Sequence, residues 1–152
     1  MHLIGNMWCL WIFGDNVEDR LGHIRYLLLY LASGLAAALV HVVTNIGSAV
    51  PVLGASGAIA GIMGAYFCFF PRARIEAIIP PFIFWPIVLP AVVFLGWWFL
   101  LQFFSGTFAL AGRAQQFSGI AWWAHVGGFL FGLSVCLLIR TRRRLQPRFI
   151  EI

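Results

Sequence analysis

Two residue types in this chain could together break a peptide bond. Ser56 lies in Gly54-Ala55-Ser56-Gly57, and His125 lies in Ala124-His125-Val126-Gly127-Gly128. An imidazole beside a serine takes the hydroxyl proton as oxygen attacks a carbonyl, then returns it to the leaving amine. The developing oxyanion needs donors, which the Ser56 backbone N–H, His2 and Asn6 could supply. His2 and Asn6 are four apart, so a helix puts them on one face. The acidic residues are Asp15, Glu18, Asp19, Glu76 and Glu151, and none sits in a long apolar run. The arrangement is therefore a dyad, and a tyrosine, a backbone carbonyl or packing must set the ring's tautomer.

The elements that hold these residues belong to a membrane. The chain has 152 residues, 62% hydrophobic and 10% charged, with a mean hydropathy of +0.93. A soluble domain is about a quarter charged, and at this length roughly 30% of the unfolded chain's surface stays exposed. The composition excludes an ordinary soluble domain and excludes disorder. All ten basic residues are arginine. They cluster beside apolar runs, which reads as membrane orientation and not as nucleic-acid binding. Cys9, Cys68 and Cys136 lie inside apolar runs and read as small buried hydrophobes. No signal peptide is visible, no zinc-protease His-Glu-x-x-His element occurs, and neither a metal nor a cofactor is expected.

Five apolar runs can be read. Run A covers about His2–Phe13, run B Ile24–Val43, run C Val52–Phe70, run D Phe82–Phe104 and run E Gly119–Ile139. Runs B to E are each near the ~20 residues of a spanning helix, and lipid forces them to be helical. The fold class is thus an all-α polytopic membrane protein. Run A is too short to span, so it either begins upstream or continues through the polar Gly14–Asp19; the first is expected, with Gly14 ending the run. The linkers are Gly14–His23, Thr44–Pro51, Pro71–Pro81 and Ser105–Ser118. Pro86 and Pro90 predict an irregular start or a kink in run D. A core over 1–139 and a basic tail over 140–152 follow.

Arg140, Arg142, Arg143, Arg144 and Arg148 place the C-terminus in the cytoplasm. Counting back puts Arg20, Arg25, Arg72 and Arg74 inside too, leaving only Arg113 outside. Runs A, C and E then enter from the outer face. Ser56 is four residues past Val52 and His125 six past Gly119, so both lie roughly 6–9 Å deep at 1.5 Å per residue. His2 and Asn6 share that outer end.

Small residues explain how the groups would meet. Gly57 and Gly61 are four apart, as are Gly128 and Gly132, and such faces let helix backbones approach closely. Runs C and E are expected to pack there and to bring the Ser56 hydroxyl to the His125 ring. Each residue also has a plainer reading. A serine in a spanning helix commonly bonds the carbonyl one turn back and Asn6 alone could join helices, while a lone intramembrane histidine is rarer but is still more often structural than catalytic. His41, near the outer end of run B, competes as the base but has nothing tying it to Ser56. His23 reads as solvated, and the seven tryptophans as interface anchors.

These residues resemble the rhomboid family of intramembrane serine proteases. His2-x-x-x-Asn6 with Met7, Leu10-Trp11, Phe13-Gly14 and Val17-Glu18 is similar to the family's second helix and following loop. Gly54-Ala55-Ser56-Gly57 is similar to the nucleophile motif on its fourth helix, and Ala124-His125 with Gly128 and Gly132 to its sixth. The likeness covers about residues 2–139. It implies a rhomboid-like bundle of bacterial type, with five of the usual six helices and the first absent. It implies Ser56 as nucleophile, His125 as general base and acid, and His2, Asn6 and the Ser56 N–H as oxyanion donors. Gly54, Gly57, Gly61, Gly128 and Gly132 would pack the site.

The resemblance further implies a water-filled cavity open to the outer face and single-span membrane proteins as substrates. Lateral access would pass run D, where Trp97, Trp98 and Phe99 would act as a gate. The chain would sit in the bacterial inner membrane, in contact with the lipid bilayer and no nucleic acid. A tyrosine sometimes found one turn after the nucleophile, stacked on the histidine, is Ala60 here. The alternatives are an inactive rhomboid-like protein that binds membrane proteins and a small transporter lined by His2, His41 and His125. The presence of both Ser56 and His125 argues against the first, and the lack of charge in the spans against the second. The sequence sets no oligomeric state.

Overall fold

The computed structural model describes residues 2–47, 54–79, 83–112 and 121–145. In chain order these form α1 (His2–Leu21), α2 (His23–Thr44), α3 (Ser56–Phe69), β1 (Arg74–Ile79), β2 (Ile83–Pro90), α4 (Ala91–Gly112) and α5 (Trp122–Leu145). The protein is a multi-pass helical membrane bundle. Among the described residues three helices, over His23–Thr44, Ala91–Ala111 and Trp122–Thr141, are long and apolar enough to cross a bilayer.

The first helix does not stop at Gly14, the preferred reading, but continues through Gly14–Asp19, the alternative one, and runs on to Leu21. The Gly14–His23 segment is amphipathic and not a turn. Phe13, Val17 and Leu21 recur every four residues and are buried, Val17 completely. Asp15, Asn16 and Asp19 point outward. Glycine at position 14 leaves room for the Tyr26 hydroxyl, which would lie 2.7 Å from an added Cβ. The helix ends instead at Gly22, whose φ of 80° favours glycine. A run of twelve apolar residues thus understates a 20-residue helix.

Run C is also corrected. Its helix has only 14 residues, about 21 Å at 1.5 Å per residue, too short to span a ~30 Å core. It begins at Ser56 itself. The lipid constraint that demands a full span does not act on a segment enclosed by protein. Every residue from Gly57 to Tyr66 is buried, because α3 is the central helix, in contact with α1, α2, α4 and α5. Phe13 of α1 meets Tyr66 of α3 edge-on, with ring centroids 5.1 Å apart.

The front of run D is not helical. Residues 83–90 form β2, paired antiparallel with β1 as Arg74↔Pro90, Ile75↔Leu89, Glu76↔Val88 and Ala77↔Ile87. The expected Pro71–Pro81 linker therefore contains a strand. Its alternation is visible in the burial: Ile75 and Ala77 are buried, Arg74 and Glu76 exposed. The register shifts beyond Ala77, where Ile79 pairs with Ile83, close to Pro86, which has no N–H to give a ladder. The hairpin's base also caps α4. Ala91 N–H donates to the Ala73 carbonyl at 2.7 Å and Val92 N–H to the Pro71 carbonyl at 3.1 Å, satisfying amides that a helix start leaves open. The far end of run D extends to Gly112, through half of the expected Ser105–Ser118 linker. The helix of run E likewise continues to Leu145 through the arginines from Arg140 on.

The core seam joins α2, α3 and α5 through small residues. A methyl on Gly61 would overlap Ser33, one on Gly64 the Phe129 carbonyl, and one on Gly132 the Gly61 carbonyl. Leu29, Ser33 and Ala37 form the buried stripe of α2, while Leu27, Leu28, Leu31, Leu35 and Leu39 are exposed on its outer side. In water that outer face would be a liability; in a bilayer it is the lipid contact. At one end of the bundle, Arg140 Nη1 donates to the Cys68 carbonyl at 3.3 Å and the Arg20 guanidinium lies 6.0 Å from the Phe69 ring centre. Ser56 starts α3 at the opposite end. All three cysteines are free thiols.

Candidate active site

Ser56 and His125 meet where α3 and α5 both begin. Ser56 is the first residue of α3, and His125 is the fourth of α5, its N–H bonded to the Ala121 carbonyl at 3.2 Å. The glycine seam fixes their separation. The Gly57 carbonyl occupies the space that a Cβ on Gly128 would need, and a Cβ on Gly57 would lie 2.5 Å from that of Ala37. With the backbones in contact, His125 Nε2 lies 2.8 Å from Ser56 Oγ. This is hydrogen-bond reach for a nucleophile and its base.

The other ring nitrogen answers the open question of orientation. His125 Nδ1 lies 2.7 Å from Oε1 of Gln102, a buried residue on α4. The amide oxygen accepts from Nδ1–H, which leaves the Nε2 lone pair for the serine proton. Among the described residues it is a glutamine amide that makes this contact. The ring also has an aromatic neighbour: Trp98, one turn before Gln102, lies 5.8 Å away between centroids, tilted by 36°. Trp98 and Phe99 both pack on Phe129, whereas Trp97 is exposed. Sequence reasoning missed Gln102. The available signal was an amide inside an apolar run, one turn after a tryptophan.

The proposed oxyanion donors are placed unequally. The amides of Ser56, Gly57 and Ala58 precede the first bond of α3, which Ile59 N–H donates to the Ala55 carbonyl at 3.0 Å. They form the positive end of a helix beside the serine oxygen. Asn6 is half-buried on α1, and its side chain makes no hydrogen bond among the described residues, so the resting structure does not tie it to Ser56 or His125. The His2 side chain lies outside the described residues. Gly54, with φ 145°, adopts a backbone conformation that L side chains rarely accept.

A cavity of about 450 Å³ opens beside Ser56, lined among others by Tyr30, Gly34, Ala37, His41, Gly54 and Ala121. His41 borders this cavity, but its own ring contact is Asn45, 3.4 Å away, and not Ser56. His23 pairs with Glu18 at the opposite end of α2. Neither takes the base's place.

Residues 1–142 match the rhomboid domain family. The chain belongs to the rhomboid family. It is 30% identical to rhomboid protein 1, mitochondrial, of Saccharomyces cerevisiae over 158 residues, covering 95% of this chain and 41% of that protein. It is 31% identical to presenilin-associated rhomboid-like protein A, mitochondrial, of Danio rerio over 142 residues, covering 88% of this chain and 32% of the relative. Rhomboid protease GluP of Bacillus subtilis is 44% identical over 64 residues, 42% of this chain and 12% of its own. The chain thus spans less than half the length of these curated relatives. No solved structure matches.

Proposed function

We propose that this rhomboid domain is an intramembrane serine endopeptidase that cuts single-span membrane proteins in or next to their membrane segment. The observation that carries the reading is the 2.8 Å contact between Ser56 Oγ and His125 Nε2 at the starts of two helices. Ser56 attacks the scissile carbonyl as His125 takes its proton. The carbonyl oxygen becomes an oxyanion beside the α3 amides, with Asn6 and His2 as further donors. His125 then protonates the leaving amine, and water reverses the steps on the acyl-enzyme. The cavity beside Ser56 is where the unwound substrate segment sits. Its small-residue walls suit an extended peptide.

The domain sits among lipids with the site toward the outer face and the C-terminus in the cytoplasm, in a bacterial plasma membrane. The arginines gathered at the end opposite Ser56 support that orientation. Recovery in a mitochondrial membrane, the location named for several relatives, is the contrary result in a fractionation experiment. The functional test is cleavage of a membrane-embedded reporter in proteoliposomes. Wild-type protein cuts it and Ser56→Ala does not, though it inserts normally. Cleavage by Ser56→Ala excludes the mechanism. Co-purification of a client that is never shortened favours the binding role instead.

A further inference from the structure

We infer that Gln102 is the positioning residue of the base, a neutral third member of a Gln102–His125–Ser56 chain that makes α4 a condition of catalysis. The inference rests on the protease reading and adds a residue to it. Three observations carry it. The Gln102 Oε1 to His125 Nδ1 distance is 2.7 Å, the His125 Nε2 to Ser56 Oγ distance is 2.8 Å, and Gln102 is 7% exposed, so its amide is shielded from bulk water.

An imidazole with nothing to hold Nδ1–H exchanges tautomers, and only one of them leaves Nε2 bare toward the serine. An acceptor at Nδ1 selects that tautomer and fixes the plane of the ring. A carboxylate would also stabilise the imidazolium that forms when serine gives up its proton. An amide oxygen does so more weakly, without burying a charge in a bundle whose described spans hold no acid near the site. Orientation by an amide is the solution that a low-dielectric setting favours.

Gln102 and Trp98 are one turn apart on α4. One holds the edge of the His125 ring and the other lies against it. Both of these holds on the base thus come from a single helix. The outer side of that helix is apolar and exposed at Trp97, Leu100, Leu101, Phe104 and Phe108. Withdrawal of α4 would release the ring from both holds while leaving the Ser56–His125 seam intact.

The experiment compares Gln102→Met with Gln102→Glu in the full chain, in proteoliposomes. A packing role is served best by the apolar isostere methionine and worst by a buried glutamate. A positioning role gives the reverse order. Methionine is expected to lower kcat about 10- to 100-fold with KM little changed, since general-base catalysis is worth roughly 10²–10⁴. Glutamate is expected to retain most of kcat and to move the acid limb of the pH–rate profile to higher pH. Full kcat in Gln102→Met overturns the inference, while loss of activity in Ser56→Ala in the same assay keeps the protease reading standing.

Imidazole ¹⁵N spectra of the wild-type protein, assigned by comparison with His125→Ala, test the same point without a Gln102 variant. A proton on Nδ1 and none on Nε2 is expected. A proton on Nε2 overturns the inference.

Discussion

Gly57 and Gly128 touch backbone to backbone, the carbonyl of one filling the space that a Cβ on the other would take. The chemistry sits on their neighbours. Ser56 precedes Gly57 by one residue and His125 precedes Gly128 by three, so closeness of the main chains becomes closeness of hydroxyl and imidazole. A spanning bundle has no hydrophobic drive between its helices and relies on packing of this kind.

Gly128→Ala should therefore cost stability and activity together. The added methyl meets backbone, which cannot swing aside as a flexible side chain would, and overpacking of this type costs about 1–3 kcal/mol. Thermal unfolding in detergent should fall, and reporter cleavage should fall further than unfolding alone explains. Gly5→Ala is the control, because nothing lies within 4 Å of a Cβ there, and it should change neither.

The C-terminal half of α1 should depend on Val17. This side chain is completely buried in the core cluster with Phe13 and Leu21. Val17→Asp places an unpaired charge there and should destabilise the protein by several kcal/mol, on the order of 3–5. Asp15→Asn, two residues away on the outward side, should be within about 0.5 kcal/mol of wild type. Equal melting temperatures for the two variants would remove α1 from the core.

Much of the site was legible because glycine spacing and polar residues in apolar runs survive in one dimension. Ser56, His125 and the Gly57, Gly61, Gly128 and Gly132 faces could be read from the sequence, and the structure brings them together. Gln102 escaped because an uncharged amide in run D carries no charge signal, and its meaning depends on a ring 23 positions away. The β-hairpin escaped because an unbroken apolar run such as Ile83–Pro90 reads equally as strand or helix. The short α3 escaped because hydropathy cannot tell a helix facing lipid from one enclosed by four others. The extension of α1 was written in the four-residue spacing of Phe13, Val17 and Leu21, but the polar residues between them obscured it.

Asn6 should matter to the transition state and little to the resting protein. Its side chain makes no hydrogen bond among the described residues, so Asn6→Ala should leave thermal unfolding nearly unchanged. As an oxyanion donor it should be worth about 10²-fold in kcat, with KM little altered. An unchanged kcat would leave the α3 amides and His2 to hold the oxyanion.

Trp98→Ala should loosen the base from its ring side. It removes contact with both His125 and Phe129. Cleavage should fall about tenfold, an order of magnitude within the range for a misplaced catalytic group. Trp97→Ala changes an exposed neighbour and should leave kcat close to wild type. Equal losses in the two variants would point to a general role of α4 in the bilayer.

The most direct test of the account is labelling of Ser56 by a fluorophosphonate, with the modified residue located by mass spectrometry. The probe reports hydroxyl activation without any need to know the substrate. The account predicts a single adduct on Ser56 in the wild-type protein and its loss in a folded His125→Ala variant. An adduct on Ser56 that forms equally fast without His125, or no adduct in folded wild-type protein, would contradict it.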